Sequence, residues 1–445
     1  MIERAVGIDL AVRGEHVARI FDDGRPVGKP LRFRLTSASL LRFVAAITAD
    51  LPPGGRITAV MEPTGMAWFP VAAWLGRAGV RVIRVKGQRV RALRKYLSEH
   101  AKTDLTDAHV LGALPSFGVG RLDPVFVPSP EQQALQRLTK QRERFEAGVC
   151  AGKRRLLDLI RWACPALEAV LPDLRTKLSL AILREYLDPR RVLAARRTTL
   201  ARFIGAHASG NHPHSGPFVD RLIDGLRAAA RETIALHGAA VDFEALRFEV
   251  RQEIEQIALV ERQISGLARR IEELYARLHP ADALRSIPGV GIALAPVILG
   301  VLHGAARFRN GRHLRGFCGM FPNRSASGGR ERPGQRLSQS GNDRIKRALY
   351  LAADAARRVD PELAAVYWRL MVTKGHHHKQ ALCAVATRLA NRIHAVLKTG
   401  RPYVLRDTDG RVIDPAEGKR IVAERFTVPE AIRRARRVHA ASAAA

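Results

Sequence analysis

Ala5-Val6-Gly7-Ile8-Asp9 is a short apolar run that closes on a carboxylate, and the fold is read outward from it. A run of this length between polar residues reads as a buried strand. His16 to Phe21 and Leu31 to Leu35 read as two more strands, separated by the turn Asp22-Asp23-Gly24. Ser37 to Asp50 has a helical period, with Ser at its start and Leu40, Leu41, Val44 and Ile47 on one face. Ile57 to Glu62 is a fourth strand, about Ala67 to Ala78 a helix, and Val80 to Val85 a fifth strand.

The order βββαβαβα is that of a ribonuclease-H-like (RuvC-like) α/β fold. In such a sheet Asp9 and Glu62 end neighbouring strands and emerge at one edge. Asp104 and Asp107, in Lys102-Thr-Asp-Leu-Thr-Asp-Ala108, stand at i and i+3 on one helix face. Taken singly, each has an ordinary reading, as a turn residue or a first-turn acid favoured by the helix dipole. Taken together they read as a metal site, because four converging carboxylates repel one another without a cation. Oxygen-only donors select Mg²⁺ or Mn²⁺. Two such ions about 4 Å apart activate and clamp phosphodiester oxygens.

Composition supports a polyanionic partner. The 445 residues carry a formal net charge of +32, with 62 Arg against 12 Lys, and Arg is the residue suited to phosphate. An apolar fraction of 47% excludes global disorder. Cys150, Cys164, Cys318 and Cys383 form neither a metal-ligand spacing nor a disulfide framework. The start, MIERAVGIDL, does not read as a signal peptide. The longest uncharged apolar run, Ser286 to Leu302, is too short and too interrupted by Pro and Gly to span a bilayer. A soluble, cytoplasmic protein is expected, with no membrane partner.

Residues 1–125 form the α/β domain of this reading, and 126–280 a long helical region. Phe243, Val250, Ile257, Ile264, Ile271 and Leu278 fall seven apart, with Leu246, Glu253, Val260, Leu267 and Leu274 three later, a coiled-coil seam with one misfit at Glu253. Pro130 to about Trp162 carries a weaker seam that Arg142 and Gly152 break, and the two helices could pair within one chain or across a dimer. About 165–240 reads as a helical insertion. Residues 281–400 form a third, mainly helical domain, and 401–445 a basic tail, poorly ordered at its end.

In the third domain, Ile287-Pro-Gly-Val-Gly291 before an apolar helix reads as a helix-hairpin-helix, with Gly289 and Gly291 letting backbone N–H groups approach a phosphate. Ser325 and Ser327 sit beside Gly328-Gly329 among Arg324, Arg330 and Arg332. A serine amid guanidinium groups can attack a phosphodiester, with Arg stabilising the developing charge. No general base is identifiable.

Gly7-Ile-Asp9, Met61-Glu-Pro-Thr-Gly65, Lys102-Thr-Asp-Leu-Thr-Asp-Ala108, Ile287-Pro-Gly-Val-Gly291, and Cys318-Gly-Met-Phe-Pro322 to Ser327-Gly328, ending in Gly341-Asn342, occur in this order. Together they resemble the DEDD-type transposases of bacterial insertion sequences. The resemblance covers about 1–125 and 281–400. It implies a nucleoid-associated DNA recombinase guided by a structured bridge RNA that pairs with donor and target DNA. It further implies Mg²⁺ on Asp9, Glu62, Asp104 and Asp107, and a covalent serine–DNA link at Ser327, with Ser325 the fallback. The active site would be shared between subunits of a dimer-to-tetramer assembly. Gln339 and Lys346 depart from the family pattern, which often has Lys and Arg there, and the insertion is longer than the usual linker.

A RuvC-like structure-specific endonuclease would need the carboxylates but not Ser327. A non-catalytic nucleic-acid-binding protein would need neither. His376-His377-His378 reads as an exposed basic turn, His207, His212 and His214 as loop residues, Trp68 and Trp74 as core, and Arg433, Arg434, Arg436 and Arg437 as a solvated basic tail.

Overall fold

The computed structural model describes residues 3–62, 65–85, 87–96, 103–117, 124–171, 173, 176–208, 216–323, 326–331 and 337–442. The chain divides into two compact units, 1–129 and 130–445.

The first unit contains β1 (Glu3–Asp9), β2 (His16–Asp22), β3 (Arg25–Phe33), α1 (Ser37–Thr48), β4 (Arg56–Met61), α2 (Trp68–Arg77), β5 (Arg81–Arg84), α3 (Gly87–Tyr96) and α4 (Asp104–Ala113). The sheet order is β3-β2-β1-β4-β5. β1 pairs antiparallel with β2 and parallel with β4, in the register Ile8↔Met61, and β4 runs parallel to β5. This agrees with the ribonuclease-H-like order.

Alternation along the strands assigns the two faces. Val6, Ile8, Ala59, Met61 and Val82 join Leu40, Phe43 and Ile47 of α1 and Val71, Ala72 and Leu75 of α2 in one core. Val60 and Ile83 point the other way, toward Val90 of α3 and Val110 and Leu111 of α4.

The larger differences from the sequence expectation have physical reasons. β3 begins at Arg25, not Leu31, because it is an edge strand whose exposed Arg25, Gly28 and Lys29 mask the alternation. Thr36, not Ser37, caps α1 by accepting from Ser39 N. Two helices follow β5 rather than one, because α3 (GQRVRALRKY) is too basic to show an apolar period.

The second unit is helical. Its elements are α5 (Pro130–Ala163), α6 (Leu167–Val170), α7 (Lys177–Tyr186), α8 (Pro189–Ala194), α9 (Arg197–His207), α10 (Gly216–His237), α11 (Phe243–Leu278), α12 (Leu294–Leu302), α13 (Gly311–Cys318), a hairpin of β6 (Ala326–Ser327) and β7 (Arg330–Glu331), α14 (Asp343–Ala356), α15 (Pro361–Trp368), α16 (His378–Thr399), α17 (Pro415–Arg425) and α18 (Glu430–Ser442). No helix of the described residues is long and apolar enough to cross a membrane.

α5 and α11 pack side by side within the chain and run antiparallel, as the ion pairs Arg155–Glu253, Lys153–Glu261 and Arg277–Glu131 show. The two residues that break the α5 seam have structural reasons. A Cβ on Gly152 would lie 2.7 Å from the Glu253 carboxylate and 3.0 Å from Ile257, so the missing side chain admits α11. Arg142 is buried and donates to the Ala293 carbonyl at 2.8 Å. One end of the helix pair shares a core with α12–α16 through Leu135, Ile271 and Leu274. The other end shares a separate core with α7–α10 through Leu156, Ile160, Val250 and Ile257.

The C-terminal segment packs on the rest of its unit as far as Ile432. Leu405, Ile413 and Ile421 form a small core, and Val428 and Ile432 of the final segment dock on the large one. The reading missed it because these apolar residues are sparse and follow no single period.

Candidate functional site

Asp9 and Glu62 follow from the strand register. Ile8 and Met61 are partners, so the next residue of each chain leaves the sheet at the same edge. Both lie on the face of Gly7 and Val60, the face that α3 and α4 cover.

Small residues bring α4 onto that face. A Cβ on Gly7 would lie 2.0 Å from the Ala108 carbonyl oxygen and 2.1 Å from Gly112 N, so helix and strand touch backbone to backbone. Ala113 packs with Ala5 and Phe21 near the start of β1, so the N-terminal turn of α4 runs toward its end, where Asp9 stands. Thr103 caps that turn by accepting from Thr106 N, and it carries Asp104, exposed, and Asp107, buried. Pro63, Thr64 and Lys102 lie outside the described residues.

Two residues the sequence reading missed shape this edge. A Cβ on Gly87, at the start of α3, would lie 2.3 Å from Glu62 Oε1, so only glycine leaves the carboxylate its place. Arg94, one face of α3 further on, is ion-paired with Asp107, with both side chains largely buried. The close glycine after a strand was a readable signal; the pairing of Arg94 was not.

The four carboxylates share an edge and a face, but they do not form a ready coordination cluster. Among the described residues no group of three or more His, Cys, Asp or Glu is placed to hold a metal ion. Arg94 supplies the positive charge that the expected convergence requires, and takes up Asp107 in doing so. The donor chemistry still fits a hard divalent cation, because every candidate ligand is a carboxylate.

The serine candidate lies in the second unit. Gly328 and Gly329, at φ 58° and 74°, are the two central residues of the β6–β7 hairpin, with Ser327 paired to Arg330. Two successive positive φ values define the turn type whose twist matches a hairpin, which explains the Gly-Gly pair. Ser327 is therefore a strand residue beside the tip, and Arg330 beyond the tip is exposed. Arg324, Ser325 and Arg332 lie outside the described residues.

The base of this loop is tightly held. Pro322 bridges Leu337, and Ser338 N donates to Phe321 O at 2.9 Å. A Cβ on Gly319 would lie 2.0 Å from the Ser340 carbonyl, and one on Gly341 2.6 Å from Gly319 N, so the two glycines let the loop ends cross. Lys346, one of the departures from the family pattern, donates to Ser338 O at 2.9 Å. Gln339 is exposed.

The two hairpin glycines separate. Gly289, at φ 82°, faces the backbone of α14, where a Cβ would lie 2.2 Å from the Ala352 carbonyl. It closes a core contact. Gly291 has open space around it at the start of α12. His377 caps α16, and His378 hydrogen-bonds Tyr367 Oη at 2.6 Å, so the triple histidine is helix-capping structure rather than a loose turn. Arg84 stacks on Trp68 at 4.3 Å, and Trp68 and Trp74 flank the α1–α2 core. Among the tail arginines, Arg434 pairs with Glu430 and the Arg436 guanidinium lies against Gly375. His207 packs on Phe203, and His212 and His214 lie outside the described residues.

Residues 6–165 match a DEDD transposase family profile, and residues 281–368 match the transposase IS116/IS110/IS902 family. The 43.6 kDa protein of insertion element IS110 from Streptomyces coelicolor is 26% identical over 402 residues, 89% of this chain and 95% of that one. The 42 kDa protein of insertion element IS900 from Mycobacterium paratuberculosis is 25% identical over 403 residues, 89% and 96% of the two chains. The pilin gene-inverting protein of Moraxella lacunata is 26% identical over 154 residues, 35% of this chain and 47% of that one.

Proposed function

We propose that this chain is a transposase of the IS116/IS110/IS902 family, whose members are DNA-processing enzymes, and that it cuts and rejoins DNA through a covalent serine intermediate. The observation that carries the reading is the common edge and face of Asp9, Glu62, Asp104 and Asp107, built by strand register and the Gly7–α4 contact. A protein that inverts a pilin gene among the relatives favours recombination over simple hydrolysis.

Asp9, Glu62, Asp104 and Asp107 would hold Mg²⁺, or Mn²⁺, once Arg94 releases Asp107. The cation supplies charge neutralisation at the phosphodiester. Ser327 Oγ attacks phosphorus, a Ser–O–P bond forms, and the departing deoxyribose oxygen leaves as a hydroxyl. In rejoining, a deoxyribose hydroxyl attacks the same phosphorus and expels the serine oxygen. One phosphodiester replaces another at each step, so no nucleotide cofactor is consumed. Arg330, with Arg324 and Arg332, would hold the phosphate.

The carboxylates and Ser327 belong to different units of the chain, which suits a site assembled from two subunits of a homo-oligomer. A structured bridge RNA paired with donor and target DNA would supply sequence choice, as in other RNA-guided systems. Gly291 is the candidate for phosphate contact at α12.

A covalent-adduct assay tests this reading. The protein is mixed with element-flank RNA, Mg²⁺ and both DNAs, then denatured. Protein-linked DNA that disappears in Ser327→Ala and in Asp104→Asn is expected. Nicked DNA without adduct, unchanged in Ser327→Ala, would instead establish a hydrolytic endonuclease.

A further inference from the structure

We propose that the α8–α9 corner of the helical insertion is a docking surface for duplex DNA, gripped through its phosphates. The proposal deepens the DNA-processing role and rests on it for the identity of the polyanion.

From Pro189 to Val219 the chain has five arginines and no acidic residue. α8 and α9 are joined by only Ala195 and Arg196, so four of these arginines crowd one corner. The corner is rigidly built. Asp188 caps α8 by accepting from Arg190 N at 2.9 Å. Arg227 of α10 donates to the Ala195 carbonyl at 2.7 Å. Val192, Leu200 and Ile204 are buried in the core shared with α10.

One arginine is spent on this architecture: Arg197 bridges Asp220 and Asp224 of α10. Arg190, Arg191, Arg196 and Arg202 are exposed, and none has an ion-pair partner among the described residues. On the long helices Arg155, Arg161, Arg251 and Arg270 each face a glutamate, the kind of partner that the four arginines of the corner lack among the described residues. Thr198 and Thr199 are exposed in the first turn of α9 and add hydroxyl donors on the outer side. Four uncompensated guanidinium groups on a fixed corner repel one another, and a phosphate backbone relieves that repulsion.

Phe203 of α9 is packed between Tyr186 and His207, at centroid distances of 4.9 and 4.3 Å, so this ring is engaged in the fold rather than free to stack on single-stranded bases. The DNA-processing role makes the polyanion a DNA duplex, whose major groove in B-form admits an α-helix while the narrow one of A-form RNA does not.

The test uses the full-length protein and a short fluorescent duplex, titrated at several salt concentrations, with single-stranded DNA and duplex RNA as parallel probes. Replacing Arg190, Arg191, Arg196 and Arg202 together by Ala is expected to weaken duplex-DNA binding roughly tenfold or more and to flatten the log–log salt slope by about 3 to 4. The same four positions as Lys should restore the slope. An unchanged slope in the Ala variant, or a loss confined to the RNA or single-stranded probes, would overturn the proposal. The adduct assay at saturating DNA separates the two readings. If wild type forms no serine adduct while the slope still falls, the recombinase chemistry fails and the docking surface stands.

Discussion

The carboxylate edge and the serine hairpin are built on opposite principles. The first sits on a five-stranded sheet whose central strand touches α4 backbone to backbone at Gly7. The second lies on a hairpin of two residues per strand, held at its base by crossing glycines and Lys346. A large sheet buried on both faces holds side chains to sub-ångström tolerance, whereas a two-stranded hairpin has little stability of its own. Groups that bind a cation need the former. A nucleophile that must reach a strand and later release it is served by the latter.

The contrast can be broken first at Gly7. Gly7→Val should cost at least about 3 kcal/mol, because the added atoms meet backbone that cannot turn aside. A urea melt showing a small loss would mean that α4 is not locked to β1. Next in size is Arg94→Gln, which leaves Asp107 buried without its partner and should cost roughly 3 kcal/mol in chelator. Mg²⁺ should restore the melting temperature in proportion to its concentration; a flat metal titration would remove the carboxylates as a cation site.

The serine-bearing unit should show an acid-side loss. His303 caps α12 in the left-handed region, and burial, aided by Arg307, pushes its imidazole down from 6.5 to about 4. The folded state holds the neutral ring, while the unfolded chain binds a proton at the ordinary value. Its contribution is therefore complete above pH 6.5 and is lost as pH falls toward about 4. His303→Asn, which tolerates the same backbone, should flatten that loss by about 2 kcal/mol across stability curves. A slope identical to wild type would assign the acid sensitivity elsewhere.

Smaller again is Lys346→Ala, expected to cost roughly 1 to 2 kcal/mol and to slow adduct formation while Mg²⁺ binding stays as in wild type. Parallel losses in both would show that the two regions are not independent. Gly328→Ala meets nothing within 4 Å and should cost only about 1 kcal/mol for its positive φ, against the far larger loss at Gly7.

Much of the first unit could be read from short apolar runs alone. The strands around Asp9 and Glu62 are apolar on both faces, and a sheet covered on both sides announces itself in this way. Reading failed where polarity replaced periodicity: at the edge strand β3, at the basic helix α3, and in the C-terminal helices. For the candidate site, Asp9, Glu62, Asp104, Asp107 and Ser327 were nameable because each sits in a short motif. Gly87 and Arg94 were not, because their roles exist only across elements.

By itself the sequence determined the α/β order, the common edge of the two strand carboxylates, the helical spine and the strongly basic charge. These depend on local period and net charge, which the chain carries wherever it folds. Only the tertiary structure decided that α5 and α11 pair within one chain, that Gly152 and Arg142 are contacts rather than defects, and that Arg94 takes Asp107. Only it separated Arg197, neutralised by α10, from the four arginines left exposed beside it. A charge is legible in one dimension; whether it is already compensated depends on what packing brings within reach.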